Sequence, residues 1–351
     1  MQRLILALTA TTLALAGCRQ SGSSQPPPFA ELRCKAGNAF DVIKKPNPTV
    51  AIVHDTSRAM PAWREAVGAP VVDRTARKCD EARLDSILVI SWNTHLGHAD
   101  VRAFVADLRN GRIIQGQRIN HFILLMQEAF REGESVPPNF AANGCTKRMG
   151  GGAVSDIEDT ADSLGLALFY VPSMRNGCTA HPREDRGNAI LSTLPLADLK
   201  AVELPLARQR RVAAMAKVSG HTTDGRDWNL VVASVHLENR SSGAPRNWVH
   251  GRARQAEAFV AQLPDSVLLA VGGDLNTLTG PDEPAVRIIG SKFANSPEHQ
   301  PENTYLSYVV VRSRLDYLFF RCHGHHKSTY WRATRRYGSD HYPVMGFIRL
   351  G

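Results

Sequence analysis

The sequence predicts a large α/β domain in which short buried strands alternate with helices, and three observations support this class. Residues 266–276, SVLLAVGGDLN, form a short β-branched apolar run that stops at a glycine pair, as a buried strand does. Residues 101–108 carry apolar side chains at helical spacing. The 351 residues accommodate one domain plus attachments, because a domain core seldom grows beyond about 250 residues. Two complete catalytic domains are therefore not expected.

Composition and charge narrow the class of protein. The chain is 43% hydrophobic and 7% aromatic, which argues against a disordered chain and against a protein with many membrane spans. Its formal net charge of +9 predicts an anionic partner. Nucleic acid, a phosphorylated small molecule and an acidic membrane surface all satisfy this condition.

The N-terminus has the pattern of a secretory signal. Residues 1–18, MQRLILALTATTLALAGC, place one arginine before a short apolar run and small residues. The final four residues, LAGC, resemble a bacterial lipobox, which predicts a lipid on Cys18; the alternative is an ordinary signal with a chance cysteine. Arg19 replaces the aspartate that is associated with inner-membrane retention. We therefore expect a lipid-anchored envelope protein on the outer membrane, and a periplasmic or secreted protein if Cys18 carries no lipid.

Two segments precede the main domain. Residues 19–29, RQSGSSQPPPF, offer little to bury and predict a tether. Residues 30–85 lack a clear period and predict an N-terminal extension packed against the main domain, which then covers residues 86–351. His54 and Asp55 lie in this extension, but neighbours on a strand face opposite ways, so a surface or structural role is favoured.

The cysteines predict disulfide bonds, because an exported protein folds in an oxidising compartment. Pairing of Cys34 with Cys79 would close the extension on itself, and pairing of Cys145 with Cys178 would close a glycine-rich loop; the sequence does not fix either pair. Cys322 is left over. It begins the sequence CHGHH, which suggests zinc, but no second ligand cluster accompanies it, so a loop between strands is favoured.

Polar side chains stand where the predicted strands end. Residues 86–93 end at Asn93, residues 121–128 end at Glu128, the strand WNLVVASVH ends at His236, and the glycine pair is followed by Asp274 and Asn276. An Asp-x-Asn after two glycines is, by itself, more typical of a loop-closing turn. Repetition of the pattern on several strands instead favours a shared site with metal ligands.

The middle of the domain predicts a rim of loops. Residues 130–176 are polar and glycine-rich, with a helix at 157–164 and a strand at 166–171, and the triplet at 150–152 lacks the lysine of a phosphate-binding loop. Arg186, Gly187 and Asn188 precede the next predicted strand, and Asn188 is expected to face the site. A further helix is predicted at 251–263.

Near the C-terminus, Asp316 begins a predicted strand and His341 precedes the final strand. A histidine that takes a proton from water needs a fixed tautomer and orientation, which a carboxylate usually provides. Asp316 beside His341 would meet this need.

Six short motifs, SWN, QE, SVHL, GGDLN, RLDYLFF and SDHYPV, occur in this order over residues 86–350. Together they resemble the endonuclease/exonuclease/phosphatase superfamily with its deoxyribonuclease I-like fold. The resemblance implies a four-layer α-β-β-α sandwich, with two mostly antiparallel sheets packed face to face and the site at one end. It does not extend to the residues before Ser86.

The resemblance also assigns roles to the strand-end residues. It implies that Asn93, Glu128 and Asp340 hold a divalent metal, with Mg²⁺ expected and Mn²⁺ as an alternative, since hard oxygen ligands suit these ions.

The same resemblance implies the proton chemistry of phosphoester hydrolysis. His341, oriented by Asp316, would help activate the attacking water, and Asp274 would position or deprotonate it. Asn276 and a protonated His236 would bind the phosphoryl oxygens.

The substrate is less constrained, because branches of this superfamily cut DNA, RNA, sphingomyelin or inositol phosphates with similar residues. Arg186 and Asn188 are candidate substrate contacts. Basic clusters at residues 208–211, 246–254 and 332–336 fit a nucleic-acid backbone or a lipid or inositol phosphate. The lack of a long exposed aromatic hairpin favours a nuclease over a sphingomyelinase. We expect the protein to act as a monomer in the envelope or outside the cell. The alternative from another class is a catalytically silent binding or toxin-like module.

Overall fold

The computed structural model describes residues 49–52, 58–73, 83–137, 153–176, 183–239, 244–265, 268–293, 303–306, 312–322 and 330–351, with backbone only at 49–52, 71–73 and 312. Contacts divide the chain into residues 1–31 and 32–351, and all described residues belong to the second unit. The predicted signal, lipobox, tether, glycine triplet and cysteine pairs, the His54–Asp55 pair and the histidines after Cys322 lie outside the described residues. Within the described part of the chain, no helix has the length and apolar character needed to span a membrane.

The described elements comprise fifteen strands, five helices and one 3₁₀ turn, with several strands following one another directly. In chain order they are β1 (Thr49–Ile52), α1 (Met60–Glu65), β2 (Val71–Asp73), β3 (Ser86–Asn93), α2 (Val101–Arg109), β4 (Phe122–Glu132), α3 (Ile157–Leu164), β5 (Ala167–Arg175), β6 (Glu184–Ser192), β7 (Ala197–Glu203), β8 (Val212–His221), β9 (Asp227–His236), α4 (Pro245–Val260), β10 (Leu268–Asp274), a 3₁₀ turn (Gly280–Asp282), α5 (Pro284–Gly290), β11 (Tyr305–Leu306), β12 (Arg312–Ser313), β13 (Asp316–Arg321), β14 (Tyr330–Arg332) and β15 (Val344–Arg349).

Two large sheets form the centre of the domain. One has six strands in the order β1-β7-β8-β9-β10-β13, and the other has seven in the order β14-β15-β3-β4-β6-β5-β2. The pairs β1–β7, β9–β10 and β3–β4 are parallel, and the remaining neighbours are antiparallel. The prediction of mostly antiparallel sheets is confirmed.

Alternation along each strand separates three hydrophobic layers. In β3, Val89 joins the cluster between the sheets, whereas Leu88 faces α2 and α3 on the outside. In β10, Ala270 joins the central cluster and Val271 faces α4 and α5. Each sheet is thus covered on both faces, which explains why its strands read as nearly continuous apolar runs. The layers form the predicted α-β-β-α sandwich.

Segments of the predicted extension supply edge strands to both sheets. β1 pairs with β7, and β2 pairs with β5. Between them, Trp63 of α1 packs with Met174, and the backbone N–H of Gly68 donates to Asp185. The buried guanidinium of Arg131 bonds to the same carboxylate. This part of the chain therefore completes the sandwich.

Three local predictions need correction. Arg186, Gly187 and Asn188 lie within β6 rather than before it. The glycine pair predicted to start a turn lies inside β10. The helix predicted at 251–263 begins earlier, since Pro245 can occupy the first helical turn without losing a hydrogen bond. Cys322, after β13, is half-buried, and no disulfide joins any two described residues.

Candidate active site

The polar residues that end strands in the two sheets lie at the same end of the sandwich. Asp274 is the register partner of His236 on one side and of Asp316 on the other. In the second sheet Asn93 pairs with Gln127, so Glu128 follows directly. The Asn93 side-chain amide donates to Asp274 Oδ2 at 2.9 Å. This hydrogen bond joins the two sheets at the site.

The glycine pair lets the two sheets and strands approach closely at this edge. A Cβ on Gly272 would lie 2.7 Å from the Cβ of Ser91 in the facing sheet, and one on Gly273 would lie 2.2 Å from the Val235 carbonyl oxygen. Both separations are shorter than packed atoms tolerate. The glycines are therefore needed for close packing beneath Asp274 rather than for a turn.

Backbone irregularities set the orientation of two site residues, Glu128 and Asn276. The register of β4 against β6 shifts between Met126 and Ala129, and Glu128 within this bulge has φ +53°. Asn276 likewise has φ +51°. Left-handed backbone is unfavourable for residues other than glycine, and such strain is concentrated at functional sites. The bulge turns the Glu128 carboxylate out of the strand alternation.

Asp316 and His341 form the predicted pair. Asp316 Oδ2 lies 2.7 Å from His341 Nδ1, and both side chains are buried. His341 Nε2 lies 3.9 Å from Asp274 Oδ2 and 3.8 Å from Asp340 Oδ1. Burial lowers the pKa of His341, but the nearby carboxylates, Asp316 first, outweigh it and raise that pKa. Burial raises the pKa of Asp274.

The hydrogen bonds and the burial of His236 bear on its charge. Its Nε2 accepts hydrogen bonds from Arg211 Nη1 at 3.1 Å and from Asn276 Nδ2 at 3.0 Å. The Asn276 amide also donates to the Leu237 carbonyl, which fixes its orientation. Burial, and then the positive charges of Arg211, His341 and Arg186, lower the pKa of His236 well below its usual value. Both hydrogen bonds to Nε2 and this lowered pKa favour the neutral imidazole over the protonated form that the resemblance implies for substrate binding.

Arg211 is a site residue that sequence reasoning did not single out. It appears in the sequence only as one arginine of the basic cluster at residues 208–211. In the structure it is buried, and its Nε has no hydrogen-bond partner among the described residues. A buried guanidinium N–H without a partner is costly, so Arg211 has a donor available for an anionic ligand.

The two predicted substrate contacts have different surroundings. Arg186 is buried, donates to Asn176 Oδ1 at 3.3 Å and lies in the electrostatic field of Glu128. The Asn188 amide donates to the backbone carbonyls of Val212 and Ser234 in the facing sheet. These bonds indicate that Asn188 joins the sheets, whereas Arg186 interacts electrostatically with one candidate metal ligand, Glu128.

The predicted metal ligands fit a hard divalent cation. Asn93, Glu128 and Asp340 offer amide and carboxylate oxygens, the donors that Mg²⁺ and Mn²⁺ prefer. Asp340 Oδ1 is a buried carboxylate oxygen without a hydrogen-bond partner among the described residues. Ser339 Oγ donates to the Asn93 carbonyl at 2.7 Å, which holds the segment before Asp340 against the end of β3.

A second set of donor atoms, on Asp274, Asp316 and His341, also lies close together, within 4.8 Å of one another. Here the His341–Asp316 hydrogen bond already occupies one atom of each partner. This triangle is therefore better explained as an acid–base group than as a metal site.

Two sheets packed face to face, with amides, carboxylates and imidazoles along one edge, define a class of hydrolases that act on phosphoester bonds. The model of the endonuclease/exonuclease/phosphatase family matches residues 90–341. The chain belongs to this family.

One solved structure with a TM-score above 0.5 supports the fold. An endonuclease/exonuclease/phosphatase from Beutenbergia cavernae is 17% identical over 76% of this chain and 72% of its own, with a TM-score of 0.52. The catalytic domain of human Nocturnin with bound sulfate is 18% identical over 77% and 96% of the two chains, with a TM-score of 0.48. Staphylococcus aureus beta toxin is 15% identical over 74% and 98%, with a TM-score of 0.41. A search of curated protein sequences gives no significant match.

Proposed function

We propose that the protein is a divalent-metal-dependent phosphodiester hydrolase that cuts DNA or RNA. The observation that carries the proposal is a continuous buried group of polar side chains at one edge of the sandwich. Asn93 bonds to Asp274, whose Oδ2 lies 3.6 Å from His236 Nε2 and 3.9 Å from His341 Nε2. Asp316 holds the far side of His341. Amide, carboxylate and imidazole groups in this arrangement can bind and move protons around one phosphorus atom.

Asn93, Glu128 and Asp340 would hold the cation, Mg²⁺ or alternatively Mn²⁺. When bound, such an ion neutralises phosphoryl charge and acidifies water. The ligands would be side-chain oxygens at three strand or loop ends, and the bulge at Glu128 and the Ser339 hydrogen bond beside Asp340 support this arrangement.

Asp274 and His341 would handle protons. Asp274 is buried and its pKa is raised by that burial, so its carboxylate is a better proton acceptor than an exposed aspartate. Asp316 occupies His341 Nδ1, which leaves Nε2 to exchange a proton with water or with a substrate oxygen. Asp274 would position and deprotonate the attacking water, and His341 would help to activate it through Nε2.

Positive charge for the phosphoryl oxygens would come from Arg211 and Arg186 rather than from His236. Both guanidinium groups are buried near the site, and guanidinium geometry suits phosphate oxygens. Neutral His236 and Asn276 would keep Arg211 in position beside the substrate through the hydrogen bonds at His236 Nε2. Preorganised donors in a dry site stabilise charge that develops in the transition state.

The net charge of +9 favours nucleic acid as the substrate, because phosphate backbones dominate the binding of basic proteins. A single panel of substrates in a hydrolysis assay distinguishes nucleic acid from the alternatives, sphingomyelin and inositol phosphates. Purified protein with Mg²⁺ should cut plasmid DNA or RNA and hydrolyse bis-p-nitrophenyl phosphate. Hydrolysis of only sphingomyelin or inositol phosphates would replace the nuclease proposal, and no hydrolysis of any phosphoester would favour a silent binding module.

Two variants test the residues. His236→Ala and Asp274→Ala should each lose most activity on bis-p-nitrophenyl phosphate while remaining folded. Unchanged activity in either would contradict the assignment of the site.

The proposal includes a location. The sequence ending at Cys18 supports lipid anchoring, and Arg19 after it supports the outer membrane. The catalytic domain would then act on substrates outside the cytoplasm as a tethered monomer.

A further inference from the structure

Glu238 is a fully buried carboxylate two residues after His236 that the proposed reaction does not use. Its Oε2 accepts the backbone N–H groups of Arg208 at 3.1 Å and Gln209 at 2.8 Å. Its Oε1 accepts the N–H of Asn239 at 3.1 Å and lies 3.5 Å from Arg211 Nη2. One carboxylate therefore joins the loop after β9 to the loop before β8.

The backbone at Glu238 is itself fixed from the outer helix. Its N–H donates to Gln255 Oε1 at 2.8 Å, and Arg252 Nη1 donates to its carbonyl at 3.2 Å. Both partners lie on α4 and are fully buried. Glu238 is thus held rigidly, and its carboxylate anchors the loop at residues 208–211.

The free-energy cost of burying the Glu238 carboxylate must be offset by specific interactions. The effective penalty for removing a carboxylate from water is several kcal/mol, and only good hydrogen bonds and an opposite charge offset it. A neutral residue could not supply both the acceptors for three N–H groups and the charge that faces Arg211. The Arg211 side chain is 4% exposed, and among the described residues its guanidinium contacts His236 and Gln209 besides Glu238.

We propose that Glu238 is a positioning residue that holds Arg211 against His236. The contact between the buried Glu238 carboxylate and the Arg211 guanidinium fixes the direction from which the guanidinium approaches His236 Nε2. It thereby sets the tautomer of that imidazole and the position of the positive charge in the site. The inference rests on the proposed function, because it assigns Glu238 to the same site.

The test is a double-mutant cycle between Glu238→Gln and Arg211→Ala, with kcat and KM measured on bis-p-nitrophenyl phosphate. Glutamine keeps the shape and one acceptor oxygen but removes the charge. We expect Glu238→Gln to lower kcat about 10-fold or more in the wild-type background and to have little effect once Arg211 is absent, because the effects of substitutions at contacting residues are not additive. A loss of equal size in both backgrounds would show that Glu238 does not act through Arg211.

A second readout does not depend on activity. The imidazole ¹⁵N signals of His236, in protein labelled at histidine, should move in Glu238→Gln in the direction in which Arg211→Ala moves them. Signals that move in Arg211→Ala but stay at the wild-type position in Glu238→Gln would overturn the inference. If the wild-type protein hydrolyses no phosphoester, the proposed function fails while the ¹⁵N comparison still decides the role of Glu238.

Two further variants control for folding. Asp185→Asn removes another fully buried carboxylate that pairs with a buried arginine, Arg131. It should lower thermal stability without moving the His236 signals, because its contacts lie on the opposite face of β6 from Arg186. Glu238→Asp keeps the charge and shortens the side chain, so if Glu238→Gln does not fold, the cycle and the ¹⁵N comparison are run with this variant, with smaller changes expected.

Discussion

Replacement of Asp316 by asparagine removes one negative charge behind His341 and leaves the shape of the site intact. In the structure the only described side chain that Asp316 bonds to is His341, through Oδ2 at 2.7 Å. Its backbone N–H donates to Thr304 Oγ1, which the substitution does not touch. The variant should therefore change the imidazole and little else.

The size of the effect follows from this hydrogen bond. A hydrogen bond to a charged group contributes about 1.5–3 kcal/mol, and about 1.4 kcal/mol in the activation free energy is a factor of ten in rate. Asp316→Asn should therefore lower kcat by roughly 10- to 150-fold. Removal of the imidazole itself, in His341→Ala, should cost roughly 10²- to 10⁴-fold, the range of general acid–base catalysis.

The assay is steady-state hydrolysis of bis-p-nitrophenyl phosphate with saturating Mg²⁺, with a thermal melt of each variant. Asp107→Asn is the matched control, because Asp107 lies on the outer helix α2 and its carboxylate bonds to Tyr337 and Arg112 rather than to a residue of the proposed site. It should keep wild-type kcat. If Asp316→Asn stays within twofold of wild type while His341→Ala is inactive, the carboxylate does not orient the imidazole and the reasoning is refuted.

Three further predictions test other parts of the account. Treatment with EDTA should abolish activity and Mg²⁺ or Mn²⁺ should restore it, whereas Glu128→Gln should need a much higher metal concentration; activity that survives EDTA would exclude the metal. Gly187→Ala should destabilise the protein by about 1–3 kcal/mol or more in a urea melt, because a Cβ there would lie 2.0 Å from the Val171 carbonyl oxygen; Gly290→Ala, whose Cβ would be 3.8 Å from its nearest neighbour, should be nearly neutral. Cys18→Ala should move the protein from the membrane fraction to the soluble envelope fraction, and an unchanged membrane fraction would contradict the lipid anchor.

The layered fold could be predicted because its signals are local. The run SILVISWN predicts a strand buried on both faces, and the structure places Val89 and Leu88 of that strand in different hydrophobic layers. The helix at residues 101–109 is likewise encoded by its apolar spacing and by Asp100, which caps its first turn. Such patterns need no knowledge of the rest of the chain.

The site was predictable as far as it depends on strand ends. Asn93, Asp274 and His236 end buried strands, and the structure brings them together because those strands are neighbours or face each other. The charge of His236 could not be predicted, since it depends on Arg211, which is 25 residues away in sequence and arrives through an irregular loop.

Other features depend on tertiary contacts that have no sequence pattern. The bulge at Glu128 appears only as a register shift between two strands. The glycines at 272 and 273 look like a turn in sequence, but the close approach of Ser91 and Val235 explains them. Short edge strands such as β1 and β2 are too brief to show a period, so residues 30–85 read as an extension although they pair with both sheets.

The most direct test of the central claim compares folded wild-type protein with Asp274→Ala for Mg²⁺-dependent relaxation of supercoiled plasmid DNA and release of p-nitrophenol from bis-p-nitrophenyl phosphate. The account predicts that the wild type acts on both substrates and that the variant, at an unchanged melting temperature, acts on neither. Equal rates for the two proteins, or a folded, metal-loaded wild type that cleaves no phosphoester, would contradict it.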